Sequence, residues 1–502
     1  MRSPLAKKTV IILLLAIILL ALGLRLFNAG HVLSWDEAWN VQTVLDGAKH
    51  LTANVWFYNF YRHPPLYTGA SIGLALVGGL GMKGIAVGME VLSLLFALGS
   101  VVLVFLLGKD WFDERVGLVA AFLFAVFPAA RAFDVFIKPD SATVFFGLLF
   151  LLFFFQKKYL LSGLFLGIAF LAKETAVFVI VPVFAYLLVT RKFKETGWLL
   201  VSSLVAFAIS AWWYFAYSVS KGDFMNFFLG KGSEAADWKQ PWHYYLARIP
   251  KDIGWAALVL LLLALVIYFV KPGDEKRSGK SLFLILWIGL TYLVLSFSYG
   301  KPPWMVYTAY PAMALLGGWG VVRLVDIFEG EKAVAAVAGL ALLLALALSI
   351  PVGFGGFMRG ADPSFAGWIN EKAIADYVNS QGGQRVMLTF DDLSPNLLFY
   401  LDSYDPAKTV MIPANARPDA NSADATVFVI GPETTVSTEE QRVLAVKPDF
   451  LVVRPSGLAV GGNEAQIAAA FQKLAQGKQF GVVTVYRGKD LAAAISAGGL
   501  PQ

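Results

Sequence analysis

Cysteine is absent from the 502-residue chain, which excludes a disulfide framework, a zinc–thiolate centre and thiol redox chemistry. Charge is also scarce. Asp, Glu, Lys and Arg make up 15% of the residues and hydrophobic types 58%, whereas soluble domains are roughly 45–50% apolar. A soluble reading is therefore excluded. The net charge of +6 could suggest nucleic acid, but the Lys and Arg residues fall in short clusters between long apolar runs, as loops at a membrane surface do. Nucleic acid is not an expected partner.

About eleven apolar runs fill the first 351 residues. They are Val10 to Leu24, Ile85 to Leu107, Val116 to Ala130, Ser141 to Phe155, Tyr159 to Leu171, Ala176 to Val189, Trp198 to Val219, Ile253 to Val270, Ser281 to Phe297, Met305 to Val322 and Ala333 to Ile350. They predict a multi-pass α-helical membrane domain over residues 1–351. Several are shorter than the ~20 residues that span a bilayer core, which implies local thinning or a water-filled cavity. The first run follows Arg2, Lys7 and Lys8 and reads as an uncleaved helix, since no small-x-small cleavage site follows it.

Short loops rich in Lys and Arg stay in the cytoplasm. With the amino terminus inside, Lys109 and Arg115, Lys157 and Lys158, Arg191 to Lys194, Lys271 to Lys280, and Arg323 and Lys332 all fall inside. Outside lie Arg25 to Gly84, the loop around Lys138 and Asp140, the turn at Lys173 and Glu174, Ser220 to Asp252, Tyr299 to Trp304, and everything after Pro351. Leu66 to Leu80 is apolar, short and preceded by a Pro pair, as suits a helix in the membrane interface.

Beyond Pro351 hydropathy drops. Short β-rich runs (Val386 to Phe390, Thr426 to Ile430, Phe450 to Val453, Val482 to Tyr486) alternate with helical stretches such as Glu371 to Gln381 and Glu464 to Ala475. Residues 352–502 are thus expected to form an extracytoplasmic α/β domain with a largely parallel sheet. Ser437 and Glu440 make a capping-box pattern in it.

Charges at the outer helix ends need a reason, because ionisable groups in a membrane protein are costly unless paired. The set is Arg25, Asp36, Glu37, Arg62, His63, Lys138, Asp140, Lys173, Glu174 and Lys301. A helical bundle could gather them at one cavity. An outward site meets no nucleotide pool, so a sugar donor would arrive on a lipid carrier. A carboxylate would take the acceptor hydroxyl proton, and cations would hold the departing phosphate. Asp36 or Glu37 suits the first role, and Arg25, Lys138, Lys173 or Lys301 the second. Arg62, His63, Glu174 and Tyr310 are candidate substrate or positioning groups, and Asp140 joins Asp36 and Glu37 as a catalytic candidate. Glu37, Asp140 and His243 are candidate ligands for a divalent ion such as Mg or Mn.

Arg25-Leu26, Trp35-Asp36-Glu37 and His63-Pro64-Pro65-Leu66 resemble the first external loop of the protein O-mannosyltransferases and the aminoarabinose-transferring lipid A enzymes, which share the GT-C fold. Asp140 is placed like that family's second acidic residue, and Lys173 fits its short Leu-x-Lys turn. Lys301-Pro302-Pro303-Trp304 with Tyr310-Pro311 is similar to a later motif of archaeal and bacterial relatives. The resemblance runs from Arg25 to about Pro311. It implies a GT-C-like glycosyltransferase, a polyprenyl-phosphate or dolichyl-phosphate sugar as donor, an inverting single displacement, and Asp36 as base. A lipid, glycan or protein could be the acceptor. The carboxyl-terminal domain is not the β-trefoil of the eukaryotic mannosyltransferases, so a protein acceptor is not implied.

Each residue also has a structural explanation. Asp36 and Glu37 could cap the helix that follows, and Asp140 could cap the one at Ser141. Lys173 could pair with Glu174. Lys301 and Arg25 could snorkel, His243 could belong to an aromatic belt, and Asp391-Asp392 could form a loop and helix cap. Two other functions compete: a lipid-linked sugar transporter or flippase, and a membrane-anchored binding protein. A transporter would be expected to carry midplane charges and an inverted repeat, and neither is visible in the sequence.

Overall fold

The computed structural model describes residues 6–49, 64–221, 239–270, 275–298, 300–328, 331–359, 365–389, 395–402, 409–412, 427–430, 443–453, 463–480 and 483–497. Arg62, His63, Asp391, Asp392 and the Ser437–Glu440 pattern lie outside them. The chain divides into two compact units. The first comprises Met1–His31 and Thr43–Asp362, the second Val32–Gln42 and Pro363–Gln502.

Each apolar run is helical. In chain order the elements are α1 (Lys7–Leu26), α2 (Trp35–Lys49), α3 (Pro65–Gly78), α4 (Met82–Trp111), α5 (Glu114–Val126), α6 (Pro128–Phe133), α7 (Asp140–Phe155) and α8 (Tyr159–Ala172). There follow α9 (Val177–Val189), α10 (Phe193–Lys221), α11 (Tyr244–Ile253), α12 (Trp255–Val270), α13 (Glu275–Ser296), α14 (Tyr310–Ile327), α15 (Lys332–Ser349) and α16 (Phe354–Arg359). Among the described residues, six helical segments are long and apolar enough to cross a membrane. The bent pair α11 and α12, which turns by 112°, makes up to seven. The run around Leu66 to Leu80 is α3, and it stops where Gly79 takes a left-handed φ of 57°.

Local chemistry explains the ends and the packing. Asp113 caps α5 by accepting from the amides of Arg115 at 2.9 Å and Val116 at 3.0 Å. Gly163 and Gly167, four residues apart on α8, let α10 approach closely. A Cβ at Gly163 would sit 2.6 Å from the Ser202 carbonyl, and one at Gly167 would sit 2.8 Å from Ile209 Cβ.

The second unit contains a six-stranded sheet of β1 (Val386–Thr389), β2 (Thr409–Ile412), β3 (Val427–Ile430), β4 (Phe450–Val453), β5 (Lys478–Phe480) and β6 (Val483–Arg487), in the order β2-β3-β1-β4-β6-β5. The first four strands run parallel, with Val386 opposite both Val427 and Phe450. Strand β6 joins β4 antiparallel, with Leu451 opposite Tyr486, and β5 extends that edge. Helices α17 (Phe365–Ser380), α18 (Pro395–Tyr400), α19 (Asn463–Leu474) and α20 (Gly488–Ser496) complete the unit.

Strand residues alternate between two buried cores. Val386, Leu388, Phe450 and Val452 face Ile374 and Leu397. Met387, Leu451 and Val453 face Phe471 and Leu491. Helices therefore cover both faces, as a mostly parallel sheet requires. The segment Val32–Gln42 is tied into this unit by its backbone. Leu33 donates its amide to the Tyr400 hydroxyl at 3.0 Å, and its carbonyl accepts from buried Asn396 Nδ2 at 2.8 Å.

Candidate functional site

Within the first unit, the connections named from the sequence come together as a network of buried charges and aromatic rings. Asp140 opens α7, and its Oδ1 accepts from Lys173 Nζ at 2.8 Å, with both side chains almost fully buried. Lys173 thus pairs with Asp140, and α8 ends at Ala172 so that the ammonium can reach it. The other carboxylate oxygen, Asp140 Oδ2, and the adjacent Glu174 Oε2 are buried without a hydrogen-bond partner among the described residues.

Lys138, 1% exposed, lies 3.5 Å from the centre of the Trp304 ring and 5.0 Å from that of Phe136. A cation over an aromatic face is attracted by the ring quadrupole. Lys301 is buried and donates to the Ser298 carbonyl at 2.7 Å. Its burial lowers the ammonium pKa from the ordinary lysine value. The next residue, Pro302, accepts at its carbonyl from Tyr245 of α11 at 2.9 Å, which joins the loop before Trp304 to α11.

Arg25 occupies a different place from the one expected of a phosphate ligand. It is 0% exposed, and its Nε donates to Asp134 Oδ2 at 2.7 Å while Nη2 lies 2.5 Å from the same oxygen. Its Nη1 donates to the Ala21 and Ala125 carbonyls, each at 3.1 Å. Asp134 Oδ1 accepts from the Tyr307 hydroxyl. The guanidinium is thus engaged in a buried internal ion pair with Asp134. Arg131, also 0% exposed, donates to the Ser349 carbonyl at 2.6 Å and satisfies the C-terminal end of α15.

Tyr310 marks a second buried pair. Arg248 Nη2 donates to Asp252 Oδ1 at 2.8 Å, and Asp252 sits beside the Tyr310 hydroxyl. The Tyr307 and Tyr310 rings meet at 5.8 Å, so one helical turn carries the phenols that face Asp134 and Asp252. Asp134, Tyr307, Arg248 and Asp252 were not among the residues singled out in the sequence. The available signals were Arg131 and Asp134 at i,i+3 between two apolar runs, and Arg248 and Asp252 at i,i+4.

In the second unit, Asp36 and Glu37 lie in the first turn of α2. Glu37 is fully buried, and its Oε2 accepts from the Ser34 amide at 2.7 Å while the Glu37 amide donates to Ser34 Oγ at 3.3 Å. This reciprocal capping box fixes the helix start. Glu37 therefore has the structural task of fixing this helix start. Asp36, one residue earlier, is half-buried. His243 is exposed, with its ring 5.6 Å from that of Trp242. Among the described residues no three His, Asp or Glu side chains converge to hold a metal ion.

Residues 63–215 match the family model described as dolichyl-phosphate-mannose-protein mannosyltransferase. An undecaprenyl phosphate-α-4-amino-4-deoxy-L-arabinose arabinosyl transferase of Pseudomonas fluorescens is 28% identical over 34% of this chain and 31% of its own length. The chain thus spans about a third of that relative, and 46% of the similar transferase of Pseudomonas aeruginosa. Among solved structures, ArnT from Cupriavidus metallidurans bound to undecaprenyl phosphate superposes with a TM-score of 0.64 at 16% identity, covering 99% of this chain and 100% of that one. The archaeal oligosaccharyltransferase AglB from Archaeoglobus fulgidus, in complex with an inhibitory peptide and a dolichol-phosphate, superposes at 0.56 with 12% identity, covering 89% and 70%. The chain is a multi-pass membrane protein that shares the GT-C fold of ArnT and AglB.

Proposed function

We propose that this protein is a glycosyltransferase that moves a sugar from a polyprenyl-phosphate carrier to an acceptor hydroxyl on the extracytoplasmic face of the membrane, with inversion at the anomeric carbon. The observation that carries the reading is its fold-wide likeness to a transferase solved with undecaprenyl phosphate. The buried charges at the ends of the first unit's helices support it.

In the proposed reaction the acceptor hydroxyl attacks the anomeric carbon, and the bond from that carbon to the carrier phosphate breaks. Asp36 takes the hydroxyl proton as general base. The polyprenyl phosphate leaves with the bonding electron pair, and Lys138, Lys173 and Lys301 stabilise its charge. Asp140 holds the Lys173 ammonium in place at 2.8 Å. Arg62 and His63 are assigned to substrate positioning. Arg25 acts indirectly, by fixing Asp134 and through it Tyr307.

The outward orientation follows from the Lys and Arg asymmetry of the loops.

The test is a transfer reaction with the protein reconstituted in liposomes and a chemically defined polyprenyl-phosphate sugar. The expected result is release of free polyprenyl phosphate coupled to a product of inverted anomeric configuration by NMR. Retention of configuration would refute the single displacement, and no release from any lipid-linked sugar in a donor panel would refute the transferase reading.

A further inference from the structure

The second unit has a groove of about 700 Å³ at the end of the sheet where β4 begins and β6 ends, a volume suited to a small-molecule ligand. Its charged lining is Lys447, Arg487 and Lys489 against Asp449, a balance of three positive charges to one negative. All four are exposed. Asp449 Oδ2 accepts from the amides of Gln384 and Arg385, each at 2.9 Å, so that oxygen serves the backbone. Arg487 donates to Gln381 Oε1 at 2.9 Å, an uncharged partner that leaves its positive charge in place. Lys447 is held at a φ of 50°, a conformation that side-chain-bearing residues seldom adopt. Three cations lining one concavity repel one another, and the repulsion is relieved when an anion enters.

We propose that this groove binds a phosphate-bearing saccharide. An arginine fork and two ammonium groups match the oxygens of a phosphate. A phosphate alone, about two to three water volumes, would fill little of the space. The remainder is lined by Gln381 and Ser496, which can hydrogen-bond sugar hydroxyls, and by Leu444 at its apolar side. Under the transfer reading the groove would recruit an anionic acceptor. Its occupancy does not require transfer to occur, so either idea can fail without the other.

The full-length protein in detergent would be titrated by calorimetry with glucose 6-phosphate, mannose 6-phosphate, glucose and inorganic phosphate. Saturable binding of a sugar phosphate is expected, about tenfold tighter than glucose or inorganic phosphate. Arg487→Gln and Lys489→Gln should each weaken it about five- to tenfold. Lys447→Gly should weaken it similarly while holding or raising the melting temperature, because glycine accepts that φ without strain. The proposal is overturned if neither sugar phosphate binds, if glucose or inorganic phosphate binds as tightly, or if Lys447→Gly and Arg487→Gln bind unchanged.

Discussion

Asp134→Leu should destabilise the protein by about 3–5 kcal/mol, the cost of leaving one half of a buried ion pair alone. The size follows from the environment of Arg25. Its side chain is 0% exposed, two of its nitrogens lie 2.5 and 2.7 Å from one Asp134 oxygen, and the remaining contacts are backbone carbonyls. A guanidinium does not shed its proton at neutral pH, so without Asp134 the charge stays buried and uncompensated. Arg25→Met should cost less, because a lone buried carboxyl can become neutral by taking up a proton. The double variant Arg25→Met with Asp134→Leu should recover most of the loss, since a buried pair replaced by well-packed apolar side chains is often near neutral.

The assay is thermal unfolding of the four proteins in one detergent, followed by tryptophan fluorescence and by transfer activity. The expected order of stability is wild type and double variant highest, Arg25→Met intermediate and Asp134→Leu lowest. A double variant as unstable as the sum of the two singles, or an unaffected Asp134→Leu, would refute the account of this pair. A stable double variant lacking all donor affinity would return Arg25 to the phosphate.

Lys173→Met leaves Asp140 in an apolar setting without its 2.8 Å partner, so transfer should fall by at least about tenfold through loss of a phosphate-stabilising charge. A donor-release assay checks it. Gly167→Leu should prevent α8 and α10 from meeting, because even a Cβ there falls 2.8 Å from Ile209. Size-exclusion chromatography should show aggregation or loss of folded protein, whereas Gly197→Leu, at a site open around the Cβ position, should not. In the second unit, burial pushes the Tyr400 hydroxyl up to about 12 despite the amide of Leu33 donating to it. The folded state then holds a proton that the unfolded state releases near pH 10, so stability should fall as pH rises from about 10 towards 12. Tyr400→Phe should remove that alkaline loss in a pH series of unfolding curves, while costing about 1 kcal/mol at neutral pH for the unsatisfied Leu33 amide.

Helix positions were legible because eleven apolar runs leave little else for those residues to do, and four of the strands announced themselves by β-branched and aromatic runs. Strands β2 and β5 were not read. Lys478–Phe480 is a three-residue, largely exposed edge with too little periodicity to stand out, whereas Thr409–Ile412 is as long as β1, β3 and β4 and was simply passed over. The Asp140 and Lys173 pair was approached from both ends, though Lys173 was weighed against its neighbour Glu174 as a partner. The Arg25 and Asp134 pair is separated by 109 residues, and no local pattern joins positions that far apart. Glu37 is the opposite case. Ser34 and Glu37 have the spacing of a capping box, and the local signal was overshadowed by the functional interest of two adjacent acids.

The central claim is that Asp36 draws the proton from an acceptor during transfer from a lipid-linked phosphate. It is tested most directly by the single-turnover rate of Asp36→Asn beside wild type, using purified protein and a polyprenyl-phosphate sugar at saturating concentration. Loss of the base should slow the chemical step by about 10²–10⁴-fold while donor binding stays near the wild-type value. An Asp36→Asn protein that transfers sugar at the wild-type rate would contradict the account.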